Sequence, residues 1–165
     1  GLKRDAIYKN EELFNLMKTL GIEESVDDLR FSKVIIATDS DVDGLHIRNL
    51  LVTFFLYFFD QIVSRNHLYI LETPIFRVRN KQQTIYCYSE NEKEKAMDTL
   101  KTGVEVTRFK GLGEISPHEF GQFIGEQIRL IPVQIEHLSE VPETLNFYMG
   151  KNTEERKQYI IDNLV

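Results

Sequence analysis

An apolar, β-branched run, Val34-Ile35-Ile36-Ala37-Thr38, ends abruptly in Asp39-Ser40-Asp41-Val42-Asp43-Gly44. The run reads as a buried strand. If the chain stays extended just beyond it, residues two apart point the same way, and Asp39, Asp41 and Asp43 share one side. Like charges roughly 4 Å apart cost about 4 kcal/mol per pair at an effective dielectric near 20. Solvent screening or a cation must offset that repulsion. Hard oxygen ligands of this kind suit Mg2+, which takes one or two carboxylates and completes its shell with water or phosphate oxygens.

A plainer reading stands beside the metal reading: a strand-to-helix turn whose aspartates cap the next helix and favour its positive end. The short motif by itself leaves both open. A calcium loop of the EF-hand type also begins Asp-x-Asp-x-Asp-Gly, but it needs a bidentate Glu at its twelfth position. Counted from Asp39, that position is Leu50, and a strand rather than a helix precedes the loop. A phosphatase with an aspartyl nucleophile at a strand end, of the haloacid dehalogenase class, is a rival; there Asp43 stands where Thr or Val is expected.

The chain has 165 residues, 42% hydrophobic and 28% charged, a composition suited to one globular domain with a small appended lobe. The formal net charge of -6 lacks the overall basic footprint of a nucleic-acid binder. Any DNA contact is therefore expected to be local, metal-assisted or shared with a partner. A single cysteine, Cys87, excludes an internal disulfide and fits a reducing compartment. The opening Gly1-Leu2-Lys3-Arg4 carries neither an initiator methionine nor an apolar leader segment, so a fragment of a longer protein is expected.

Asn10, then Glu11 and Glu12, open a helix whose stripe is Leu13, Leu16, Met17 and Leu20, with Gly21 ending it. Leu45 to Ser64 reads as one long helix, apolar almost all round, buried on most sides and too short a run to span a membrane. A face left over would meet another subunit. His67 to Leu71 is a strand, giving a βαβ unit with parallel strands and a right-handed crossover. Ligands then belong at the carboxyl ends of the strands, where Asp39 to Asp43 sit. Ile75 to Arg79 and Thr84 to Tyr88 form a hairpin, with Arg77, Arg79 and Lys81 on a solvated face. Ser89 and Glu92 make a capping box for a helix ending at Leu100. Val104 to Phe109 is a strand leading into Lys110-Gly111-Leu112-Gly113-Glu114, where glycine permits positive φ and close backbone approach to a ligand. Ser116, Pro117 and Glu119 open another helix. Val133 to Leu138 reads as extended, and Pro142 to Met149 and Thr153 to Leu164 as two helices, Asn152 capping the second.

Thr38-Asp39-Ser40-Asp41-Val42-Asp43-Gly44-Leu45-His46-Ile47-Arg48 resembles the metal-binding signature of the TOPRIM domain in type IIA DNA topoisomerases. Phe109-Lys110-Gly111-Leu112-Gly113-Glu114 resembles the second signature of the same family. Tyr148-Met149-Gly150, with Glu155-Arg156 after it, resembles the closing segment of bacterial B subunits, those of topoisomerase IV or gyrase. The resemblance covers nearly the whole chain, in order. It implies an α/β fold of TOPRIM type, Rossmann-like, mainly a parallel sheet flanked by helices, incomplete at its N-terminus and with a small helical C-terminal tail. The TOPRIM domain would span 1–131 and the tail 132–165.

The resemblance also implies a function: assisting, with Mg2+, the cleavage and religation of DNA during ATP-dependent passage of one duplex through another. Asp39 and Asp41 would be metal ligands, with Asp43 a supporting or alternate one. Lys110 and Arg48 would be phosphate contacts. His46 would be a DNA contact or would serve at the helix start. The partners implied are double-stranded DNA, a topoisomerase A subunit supplying the attacking tyrosine, and a second B subunit, in the bacterial cytoplasm near the nucleoid and away from any membrane. The family's catalytic Glu, in a Glu-Gly-Asp-Ser segment, has no match here, so no complete catalytic set is expected; that Glu is expected upstream of Gly1, and ATP on a domain outside the chain. A free-standing Mg2+-dependent phosphotransferase or nuclease is the alternative. It would need an acid set and nucleophile that these residues do not display.

Overall fold

The structure is a computed structural model that describes residues 7–126 and 128–164. Its elements are α1 (Glu11–Leu20), β1 (Val34–Ile36), α2 (Val42–Phe58), α3 (Asp60–Ser64), β2 (Leu68–Leu71), β3 (Phe76–Arg79), β4 (Thr84–Cys87), α4 (Glu90–Leu100), β5 (Glu105–Arg108), α5 (Pro117–Phe123), β6 (Leu130–Pro132), α6 (Val141–Met149) and α7 (Thr153–Asp162). They divide into two compact units. One comprises Gly1–Val34, Leu51–Leu68 and Val133–Val165; the other, Ile35–Leu50 and Tyr69–Pro132.

In the first unit α1 begins where Asn10 Oδ1 accepts the Leu13 N–H at 2.9 Å. It ends at Gly21, whose φ of 78° is open to glycine at little cost. The single helix expected over Leu45 to Ser64 is two helices. The first starts earlier, at Val42, and the chain breaks at Phe59 (φ -142°, ψ 45°). Neither proline nor glycine marks the break, so only packing reveals it: Phe59, Ile62 and Val63 are all buried. Burial along α2 is less complete than its composition predicts. Phe54 and Phe55 are buried, whereas Leu45, Ile47, Leu50 and Tyr57 are exposed. Among the described residues no helix is long and apolar enough to cross a membrane. At the end of α6, Arg156 Nη1 donates to the carbonyls of Phe147, Tyr148 and Gly150 at 3.3, 3.0 and 2.8 Å, satisfying oxygens a helix end leaves bare. Asn152 makes no capping bond; its side-chain amide donates to Glu155 instead.

In the second unit β4, β3 and β5 form an antiparallel sheet with β3 central, Val78 lying opposite both Ile85 and Val106. Asn80 Oδ1 closes the hairpin by accepting the Gln82 and Gln83 N–H groups, each at 2.9 Å. Ser89 caps α4, and Glu92 Oε2 accepts the Tyr88 N–H, one residue further back than a standard capping box. Phe76, Val78, Cys87, Ala96 and Leu100 make one core cluster, and Phe109, Ile115 and Phe123 make another. A second sheet has the order β1-β2-β6, with β6 antiparallel to β2 (Ile70 opposite Ile131). The extended segment expected at Val133 to Leu138 is thus paired earlier, at Leu130–Pro132.

Arg77 departs from the solvated face expected of the hairpin's basic residues. On the central strand, Phe76 and Val78 fill the core, and Arg77 faces the other way onto α5. Its Nη1 lies 2.7 Å from Glu119 Oε1, and both side chains are mostly buried. Tyr86 Oη donates to the same oxygen at 2.9 Å, and Ser116 Oγ donates to Oε2 at 2.8 Å. Bonding by Arg77 first, then Ser116 and Tyr86, overcomes desolvation and holds the Glu119 carboxyl at about 2, against an ordinary 4.5. The folded form thus favours the charged carboxylate. Its stabilisation is fully present above about pH 4.5 and is lost as pH falls towards about 2. Allowing for residual solvent screening, the contribution is about 2 kcal/mol. We predict that the urea midpoints of the parent and Glu119→Gln differ near neutral pH and converge as pH falls through this window; a gap constant with pH would refute it.

Candidate metal centre and its supporting loop

The acidic turn lies between β1 and α2. The chain leaves the extended form earlier than expected: Asp39 is in the connection, Asp41 is the last residue before α2, and Asp43 is in its first turn. The alternation that would set all three side chains on one side is therefore broken at Val42, where the period changes from 2 to 3.6. All three aspartates are exposed. Among the described residues no group of three or more His, Cys, Asp or Glu side chains could hold a metal ion.

Each of the first two carboxylates is nevertheless anchored by backbone. Asp41 Oδ1 accepts the Gly44 N–H at 2.8 Å, and its carbonyl accepts the Leu45 N–H at 3.0 Å. It caps α2, as the plainer reading anticipates. Asp39 Oδ1 accepts the Leu112 N–H at 2.7 Å, from a residue 73 positions away. Asp43 adds charge near the positive end of α2.

Two glycines make these contacts possible by lacking a side chain. A Cβ on Gly44 would lie 2.1 Å from the Asp39 carbonyl oxygen. A Cβ on Gly111 would lie 3.1 Å from Asp39 Oδ2. Gly111 has φ -144°, so its role is close approach and not left-handed backbone. Gly113 meets nothing within 4 Å. The loop is folded on itself: Glu114 Oε2 accepts the Lys110 N–H at 3.0 Å, and Leu112–Glu114 is a single 3₁₀ turn.

The other expected contacts are less gathered. Lys110 is exposed on the loop, His46 is exposed, and Arg48 is half-buried. His46 lies inside α2, past the capping positions, which removes the helix-start role considered for it. The Leu112 amide and Gly111 had escaped the sequence reading as partners of Asp39. Nothing in a spacing of 73 residues announces such a bond; only the pairing of two glycine-bearing strand ends hints at it.

The donors suit a hard cation. Among the described residues, the second carboxylate oxygens of Asp39 and Asp41 make no hydrogen bond within the chain. Two carboxylates plus water is a normal Mg2+ shell. A three-carboxylate cage is not what this turn offers.

The Toprim domain family matches residues 6–79, spanning the acidic turn. The family of the DNA gyrase B subunit, carboxyl terminus, matches 101–161, spanning the loop and tail. The B subunit of DNA topoisomerase 4 from Borreliella burgdorferi is 60% identical over 163 residues, covering 98% of this chain and 27% of that protein. The B subunit of DNA gyrase from Spiroplasma citri is 36% identical, with the same coverage of each. The chain belongs to the B-subunit family of type II topoisomerases. It spans about a quarter of the length of the curated relatives it matches. The topoisomerase II DNA-binding, cleavage and re-ligation domain of Plasmodium falciparum superposes with a TM-score of 0.80 over 99% of this chain and 24% of that one. At 22% identity that likeness speaks for the fold, the α/β Toprim architecture, alone.

Gly44 offers a sharp test of the turn. Helix propensity alone favours alanine over glycine by about 1 kcal/mol. The contact with the Asp39 carbonyl should outweigh it, because backbone cannot yield as a flexible side chain can. Gly44→Ala is expected to destabilise the chain by about 2 kcal/mol in urea unfolding. A stabilised variant would show that the turn is not held as described.

Proposed function

We propose that this chain is the cation-holding part of a type II topoisomerase B subunit, assisting DNA cleavage and religation in a bacterial cytoplasm. The observation that carries the reading is the anchoring of Asp39 by the Leu112 amide, which joins the Toprim turn to the loop of the gyrase B carboxyl-terminal segment. Asp39 and Asp41 would hold Mg2+ through the oxygens left unbonded, with Asp43 as a supporting or alternate ligand. The ion, when bound, would supply charge stabilisation at a phosphate undergoing transfer. The chain's own residues do the rest. Asp39 is fixed by Leu112 and Asp41 by Gly44, and Lys110 and His46, both exposed, with Arg48, would meet backbone phosphates.

The activity is that of a larger assembly. An A subunit would provide the tyrosine nucleophile, a domain outside this chain would bind ATP, and a second B subunit would complete the enzyme. With a net charge of -6 this chain attracts duplex DNA poorly by itself, so contact relies on local cations and on partners.

Two measurements test the reading. Calorimetric titration of Mg2+ into the Asp39→Asn/Asp41→Asn double variant should show no binding, while its thermal unfolding stays cooperative. Binding equal to the parent's would remove both residues from the site. Lys110→Ala, introduced into the assembled enzyme, should weaken DNA binding evenly across sequences and reduce the salt slope by about 1. A loss confined to particular sequences would indicate base reading instead.

A further inference from the structure

We propose that Arg77 and Glu119 are positioning residues for Asp39, acting through the loop 110–115; the inference rests on the cation-holding reading above. The loop has two ends, and one guanidinium reaches both. At the entry, Arg77 Cζ lies 5.7 Å from the centre of the buried Phe109 ring, next to Lys110. Its Nη2 also lies 3.4 Å from Thr107 Oγ1, on the strand that feeds the loop. At the exit, Arg77 Nη1 donates to Glu119, whose other oxygen accepts from both the Oγ and the backbone N–H of Ser116. Buried Ile115, which ends the loop, packs with Phe109 and Phe123 in the same cluster.

Between those clamped ends the loop presents its Leu112 N–H to Asp39 and sets Gly111 against the same carboxylate. A shift of a few tenths of an ångström matters here, because a Cβ at Gly111 would already touch Asp39. Among the described residues, Arg77 Nε is buried without a partner, a desolvation cost that its remaining bonds must offset. Tyr86, also bonded to Glu119 and packed edge-on against Phe123 at 4.7 Å, completes the clamp. The salt bridge touches no aspartate of the turn; it holds the backbone that does.

The test compares the whole chain with Glu119→Gln, Tyr86→Phe and Arg79→Gln. The last removes an exposed ion pair with Glu105. Mn2+ serves as the probe, its affinity read by electron paramagnetic resonance, and Leu112 amide exchange is compared with that of β3 and β5 amides. Glu119→Gln is expected to weaken Mn2+ binding about tenfold and to quicken Leu112 exchange by a similar factor relative to the strands. Tyr86→Phe is expected to move both by about threefold and Arg79→Gln neither. A folded Glu119→Gln with parent Mn2+ affinity and parent Leu112 exchange overturns the proposal. If Glu119→Gln does not fold, Tyr86→Phe decides by the same readouts. If the parent binds no Mn2+, the cation reading fails and exchange alone judges the clamp: quickened Leu112 exchange upholds it, unchanged exchange refutes it.

Discussion

The bond between the Leu112 amide and the Asp39 carboxylate ties together two turns that the sequence keeps 73 residues apart. A hydrogen bond to a charged acceptor contributes about 1.5–3 kcal/mol, roughly twice a neutral one. Its consequence here is geometric as much as energetic. It favours glycine at 111, because a Cβ there would stand 3.1 Å from the carboxylate, which would have to shift by a few tenths of an ångström. The requirement at Gly44 follows from the same turn: the carbonyl of Asp39 sits where a side chain at 44 would begin.

The same bond bears on how three aspartates coexist. The repulsion expected of neighbouring carboxylates calls for compensating positive charge. The chain supplies part of it from backbone dipoles. The Leu112 N–H faces Asp39, the Gly44 N–H faces Asp41, and Asp43 sits in the first turn of α2. The capping and metal readings of the sequence are therefore compatible. Capping occupies one oxygen of Asp41 and, among the described residues, leaves the other without a bond.

Much of this was legible in the residues. The strand ending in aspartates, the caps at Asn10, Ser89 and Ser116, the stop at Gly21 and the hairpin around Asn80 all follow local rules, because a cap or a turn is decided by the residues that form it. The break at Phe59 followed no local rule, and neither did the half-buried placement of Arg77. Both depend on what the chain packs against: the arginine on this strand is half-buried because a half-buried glutamate, Glu119, lies opposite it. The site divided in the same way. Asp39, Asp41 and Lys110 stand in contiguous motifs, while the amide of Leu112, the missing side chain of Gly111 and the Arg77–Glu119 pair act from a distance. Backbone donors carry no residue signature at all.

Backbone donors offset part of the charge of the acidic turn. In a site assembled only by its metal, the binding energy is spent on folding the ligands, and metal removal unfolds the protein. Here the two candidate ligands, Asp39 and Asp41, are anchored by the Leu112 and Gly44 amides. A cation would meet carboxylates whose charge is partly offset, with two candidate ligands and a shell otherwise of water. Such a site would bind weakly and exchange readily. Weak binding suits an ion whose remaining positions must accept phosphate oxygens and then release them. If Asp39 and Asp41 hold the ion, their anchoring would keep the geometry ready for substrate oxygens to complete the shell.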